Sequence, residues 1–156
     1  MKVSDIMSTK VVSANLDTTV REIARLLVDN DIDGVPVVNA SMQVVGVVTE
    51  SDLIVRNANL HFPRFLQLMD ARIFLENPKH FEEEMRKMLG TTAADVMSSP
   101  AIVVAPGDDI ERAATLMWEK HVHALPVVES GRLVGIIARS DLVRLMAEEG
   151  GTTQAS

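Results

Sequence analysis

Apolar positions along this chain follow two rhythms, a period near 3.6 residues and short β-branched runs, and the same succession of rhythms occurs twice. Val20, Ile23, Ala24 and Leu27 recur at i, i+3, i+4 and i+7, as do Ile110, Ala113, Ala114 and Met117. Each set forms one face of an amphipathic helix, expected to end near Asn30 and Lys120. Thr18-Thr19 with Glu22, and Asp108-Asp109 with Glu111, supply the cap residue and first-turn acid that open such a helix. Val35 to Val38 and Val44 to Thr49 are β-branched runs joined by the polar Asn39-Ala40-Ser41-Met42-Gln43, which predicts a hairpin. Glu129-Ser130-Gly131-Arg132 is the shorter equivalent. Ser51-Asp52 and Ser140-Asp141 then open second helices, from Leu53 onward and from Leu142 to about Glu148. The predicted order in each copy is strand, helix, strand, strand, helix, an α/β (α+β) fold class.

The two copies are homologous at the level of residues. Asp5-Ile6-Met7-Ser8 returns 90 positions later as Asp95-Val96-Met97-Ser98, and Val35-Pro36-Val37-Val38 as Leu125-Pro126-Val127-Val128. After a one-residue deletion, Val45-Gly46-Val47-Val48 falls on Val134-Gly135-Ile136-Ile137 and Ser51-Asp52-Leu53 on Ser140-Asp141-Leu142. The expected organisation is a first repeat over 1–58, a helical insertion over 59–92, a second repeat over 93–149 and a frayed small, polar tail over 150–156. A unit of about fifty residues is marginal alone. Packing the two sheet to sheet, about a pseudo-two-fold axis, is the expected remedy. The insertion holds all four Phe, and Phe62, Phe65, Leu66, Met69 and Ile73 step at helical spacing. After the break at Asn77-Pro78, Phe81, Met85, Met88 and Leu89 do so again.

Composition narrows the functional classes. The chain has 156 residues, and 22 acidic against 15 basic residues give a net charge of -7, which offers no general attraction to nucleic acid or anionic lipid. Absence of cysteine removes disulfides, thiolate nucleophiles and cysteine-ligated metal sites. No apolar run reaches the roughly 20 residues of a membrane span, and the N-terminus lacks a signal-peptide core, so a cytoplasmic address is expected.

The chemistry-bearing residues cluster where each hairpin turns into a helix: Thr49-Glu50-Ser51-Asp52 and Ala138-Arg139-Ser140-Asp141. Helix capping is one reading of these residues. Ligand binding is the other, because a helix N-terminus beside a hydroxyl receives phosphate, and an ionised Asp accepts hydrogen bonds from both hydroxyls of a ribose. That combination suits adenosine phosphates. His121 and His123, an alternating pair on an expected strand, invite a metal reading, but no metal site is expected. His61 and His80 read as solvated, and Glu82-Glu83-Glu84 as the wet face of a helix. No arrangement of His, acid and hydroxyl demands nucleophilic catalysis, and an enzyme is not expected.

The repeat resembles the cystathionine β-synthase (CBS) domain in its tandem, stand-alone form, the Bateman module. The marks are the Asp-Ile/Val-Met-Ser segments, Gly34-Val35-Pro36-Val37-Val38 with Ala124-Leu125-Pro126-Val127-Val128, and the closing pattern from Gly46 to Asp52. The resemblance implies a regulatory module that binds AMP, ADP, ATP or S-adenosylmethionine in clefts between the repeats, requires no cofactor, forms a homodimer and modulates a partner protein. By the same resemblance Asp52 and Asp141 hold ribose, while Thr49, Ser51 and Ser140 meet phosphate. Val12, Ile102, Val47 and Ile136 flank adenine, and His123 contacts phosphate. Two departures stand out. Ala138 replaces a Thr, with Arg139 available to supply charge instead, and Asp33 stands where the second repeat has His123, opposing a polyphosphate. A structural dimerisation scaffold, with Asp52 and Asp141 as helix caps only, is the alternative.

Overall fold

The computed structural model describes residues 1–58 and 90–150. Along them run α1 (Val3–Ile6), β1 (Ala14–Asn15), α2 (Val20–Asp29), β2 (Gly34–Val38), β3 (Val44–Thr49) and α3 (Glu50–Ala58). There follow α4 (Ala93–Val96), α5 (Ile110–Glu119), β4 (Ala124–Glu129), β5 (Arg132–Ala138) and α6 (Arg139–Gly150). The mixed α and β class read from the sequence is the one the chain adopts. The helical reading of the insertion and the tail over 151–156 lie outside the described residues.

Helix α2 opens on the capping box expected of it: the Glu22 N–H donates to Thr19 Oγ1 at 3.2 Å and the Thr19 N–H donates to the Glu22 carboxylate at 2.9 Å. It closes on Asp31 in the left-handed region at φ 50°, with the Ile32 N–H reaching the Leu27 carbonyl at 3.0 Å. Helix α5 closes the same way, with His121 at φ 54° and the Val122 N–H on the Met117 carbonyl at 3.1 Å. Its opening differs from expectation. Asp109 makes no side-chain cap; its carboxylate lies 2.8 Å from Lys2 Nζ, while Asp108 Oδ2 accepts the Ala105 N–H at 2.9 Å. The hydrogen bond and charge of Lys2 hold the Asp109 carboxyl below its usual range and raise the Lys2 ammonium above its own.

In the first repeat β2 lies between β1 and β3, with Ala14 of β1 parallel to Val37. In the second repeat β4 and β5 pair antiparallel around a two-residue turn, Ser130-Gly131, whose positive φ values of 51° and 79° follow the type I′ pattern. The first strand expected there contracts to a single parallel bridge, Val104 to Val127, because Pro106 and Gly107 come after one intervening residue, Ala105, and end any ladder.

The chain separates into two compact units whose membership is not that of the repeats. One gathers 12–39 with 45–58 and 90–100; the other gathers 1–11, 40–44 and 101–150. In the first unit Ala14, Ile23, Leu27, Val35, Val37 and Val48 build a core that is closed by Ala93 and Val96 of α4. In the second, Ala113, Met117, Leu125, Val127 and Ile137 are closed by Val3 of α1. Each short helix thus completes the core of the other copy of the repeat. The docking bonds match position for position: Val3 N–H to the Asp108 carbonyl at 2.9 Å and Ala93 N–H to the Thr18 carbonyl at 2.8 Å. A repeat supplies too little apolar surface to bury its own sheet and helices, and the exchanged segment makes up the deficit.

Candidate functional site

At the first helix mouth, Thr49 and Asp52 form a second capping box. The Thr49 N–H donates to Asp52 Oδ2 at 3.0 Å, the Thr49 hydroxyl to the same oxygen at 3.2 Å, and the Asp52 N–H to Thr49 Oγ1 at 3.3 Å. Helix α3 therefore starts at Glu50, earlier than the sequence suggested, and Asp52 is its third residue rather than its cap. The other oxygen, Asp52 Oδ1, accepts the Ser98 hydroxyl at 2.8 Å. Ser98 reaches it because the Met97-Ser98 segment pairs with the edge of β3, Val47 N–H to the Ser98 carbonyl at 3.0 Å and Ser98 N–H to the Val47 carbonyl at 2.9 Å. Gly46 makes that approach possible, since a Cβ there would lie 2.6 Å from Met97 Sδ and 2.9 Å from the Ser98 carbonyl oxygen.

The second mouth has the same backbone and different side chains. The Ala138 N–H donates to Asp141 Oδ2 at 2.8 Å, so half of the box survives, and α6 starts at Arg139. Met7-Ser8 pairs with β5 as Met97-Ser98 pairs with β3, Ile136 N–H to the Ser8 carbonyl at 2.9 Å, and Gly135 leaves room for Met7. Asp141 Oδ1 faces Arg144 at 3.7 Å, an ion pair within the helix. Arg139, expected to supply charge in place of the missing threonine, instead turns its guanidinium to the main chain: Nε donates to the Val122 carbonyl at 3.2 Å and a terminal nitrogen to the Met117 carbonyl at 3.3 Å, closing the end of α5.

Around these mouths the remaining sequence-selected residues take defined places. Ser51 and Ser140 are exposed second residues of α3 and α6, where no carbonyl four residues back within the helix accepts their N–H groups. Val47 and Ile136 are half-buried on β3 and β5. Val12 and Ile102, expected near first strands, precede them and pack against their own core clusters. The Asp33 carbonyl accepts the Glu50 N–H at 2.9 Å and the His123 carbonyl accepts the Arg139 N–H at 2.9 Å, which seats both residues beside a helix start. His121 is not on a strand but is the left-handed residue that ends α5. Among the described residues no three of His, Asp and Glu converge to hold a metal ion.

Sequence reasoning missed Ser98. The Asp-Val-Met-Ser motif was legible as a mark of the repeat, yet only the strand-edge pairing shows that its last hydroxyl meets the aspartate of another motif.

The family description CBS domain matches residues 3–58 and 93–148. The chain is 32% identical over 154 residues to the uncharacterized protein MJ1426 of Methanocaldococcus jannaschii, covering 94% of this chain and 91% of that protein. It is 35% identical over 136 residues to the chloroplastic CBS domain-containing protein CBSX1 of Arabidopsis thaliana, covering 81% of this chain and 55%, about half, of the plant protein. The crystal structure of CBSX2 in complex with AMP aligns with a TM-score of 0.71 at 26% identity, over 96% of this chain and 98% of that one.

Proposed function

We propose, since this chain belongs to the CBS-domain family and carries two copies of the domain, that it is a regulatory module that senses adenosine-based ligands and acts on a partner protein rather than on a substrate. One observation carries the reading: in each repeat a backbone N–H fixes an aspartate carboxylate at the opening turn of a helix, Asp52 on α3 and Asp141 on α6. A carboxylate so held accepts a vicinal diol, and the adjacent helix start favours the phosphate of the same ligand. The AMP carried by CBSX2 supports adenosine as the nucleoside. Thr49, Ser51 and Ser140 belong to the phosphate side of this proposal, with His123 beside the second mouth. Val12, Val47, Ile102 and Ile136 belong to its apolar side. Arg139 has a structural role in the absence of ligand.

Calorimetric titration with AMP, ATP and S-adenosylmethionine tests the proposal. We expect saturable heat with at least one of them, and a loss of about tenfold or more in affinity in Asp52→Asn and Asp141→Asn chains whose circular dichroism is unchanged. Silence with all three ligands contradicts it. The scaffold reading draws support from the Thr49–Asp52 capping box, which gives Asp52 a structural purpose. It predicts no ligand heat and, since Asn caps about as well as Asp, little loss of stability in Asp52→Asn and Asp141→Asn.

The same proposal includes a homodimer and a cytoplasmic address. Trp118 of α5 is 77% exposed and Val143 of α6 is 64% exposed, and the first repeat exposes Val28 and Ile54 at the matching positions; Met146 of α6 is 70% exposed. Large apolar side chains at equivalent exposed positions in both repeats fit association of like with like. Trp118→Glu is expected to convert a dimer to a monomer in light scattering after size exclusion. Monomeric wild-type chain at micromolar concentration contradicts this part.

A further inference from the structure

Asp52 and Asp141 stand at equivalent positions but differ in what already binds them. A carboxylate offers about four acceptor positions, and a vicinal diol uses two. At Asp52 at least three hydrogen bonds occupy them, among them the Thr49 N–H and hydroxyl on Oδ2 and the Ser98 hydroxyl on Oδ1. At Asp141 one hydrogen bond is accepted among the described residues, from the Ala138 N–H, because residue 138 has no hydroxyl and Ser8 does not reach as Ser98 does. The Arg144 nitrogen at 3.7 Å is an ion pair beyond hydrogen-bond distance.

Resting on the reading of these aspartates as ribose acceptors, we propose that the Ser98 hydroxyl is an internal competitor for the ribose diol at Asp52, so that Asp141 fills first and Asp52 fills only when Ser98 turns away. The donor identities single out Ser98. The two Thr49 donors belong to the capping box of α3, and displacing them unravels a helix start. Ser98 is exposed, and its backbone stays anchored to Val47 whichever rotamer its side chain adopts, so rotation about one bond withdraws its hydroxyl from Oδ1. The 2.8 Å bond is charge-assisted and places a hydroxyl where a sugar hydroxyl must go.

The test isolates the first site in an Asp141→Asn chain and measures AMP binding by calorimetry before and after Ser98→Ala, with thermal melts confirming that each variant folds. Removing the competitor is expected to tighten AMP binding by about three- to tenfold, while Ser8→Ala in an Asp52→Asn chain leaves the second site unchanged. Binding that appears only with Ser98→Ala also supports the inference. Unchanged or weaker binding in Ser98→Ala overturns it while leaving the ligand reading intact, and weaker binding would make Ser98 a ligand contact. AMP binding to wild type that vanishes in Asp141→Asn and is not restored by Ser98→Ala overturns it by showing that Asp52 is no ribose site. A wild-type chain that binds none of AMP, ATP and S-adenosylmethionine removes the underlying reading and this inference together, and where one of the other two binds in place of AMP the same variants are titrated with that ligand.

Discussion

The two helix mouths share one backbone and differ in how their side chains are used, and the difference separates what the fold requires from what a ligand would use. Both keep an aspartate at the third helical residue that accepts an N–H from the residue before the helix, at 3.0 Å in the first and 2.8 Å in the second. The first adds the Thr49 hydroxyl, the Ser98 hydroxyl and the acid Asp33; the second has Ala138, an unreaching Ser8 and His123. The first mouth is thereby more internally bonded and more acidic, the second more open and closer to a histidine. The proposed anionic ligand is therefore expected to prefer the second mouth, where the described residues leave Asp141 with fewer donors and the local charge is less acidic.

The largest effect tests whether the exchange of short helices is as symmetric as its bonds. Val3 and Ala93 are completely buried in the two core clusters, so Val3→Asp and Ala93→Asp each place an unpaired charge in a core and are expected to destabilise by about 4 kcal/mol or more in urea denaturation. A small effect of either would mean that its core does not depend on the exchanged segment. Next in size is the missing hydroxyl. Thr49→Ala should lower stability by about 1 kcal/mol and Ala138→Thr should raise it by about 0.5–1 kcal/mol, making the two mouths alike. Equal responses in sign would contradict the capping account.

The smallest effect concerns the point where the short helices dock. Lys2 pairs with Asp109 in the second unit, whereas the matching bridge in the first joins Thr92 and Thr19. Asp109 is held below its ordinary value of 3.8 in the folded chain, so its contribution is present above that value and disappears as pH falls through the lowered one. Lys2 is held above 10.5, so its contribution is present below that value and is lost as pH rises through the raised one. Lys2→Met is therefore expected to melt slightly below wild type at pH 7, with the gap narrowing as pH falls below 3.8. A gap that does not narrow on acidification would assign the loss to packing instead. Both groups are exposed, which keeps the effect small.

The elements with a strong local signature were legible before the structure. Strand β3 occupies Val44–Thr49 as its β-branched run implied, and α2 opens on Thr19 and Glu22 as the spacing implied. What escaped was decided by neighbours distant in sequence. Helices α1 and α4 are four residues each, too short for any periodicity, and a repeat in sequence does not say which copy its first segment will join. Asp52 read as a cap because Asp caps often, but Thr49 outcompetes it by lying one residue before the helix. His121 read as strand because the left-handed turn after Lys120 carries no Gly or Asn to announce it. Ser98 was invisible as a site residue, since its partner lies 46 positions away.

The central claim is that these carboxylates receive a sugar diol. A crystal structure grown in excess AMP tests it most directly. The account predicts the ribose hydroxyls within hydrogen-bond distance of the Asp141 carboxylate, and of Asp52 only where the Ser98 hydroxyl has rotated away. AMP bound elsewhere, or both carboxylates still holding nothing but the chain's own donors, would contradict it.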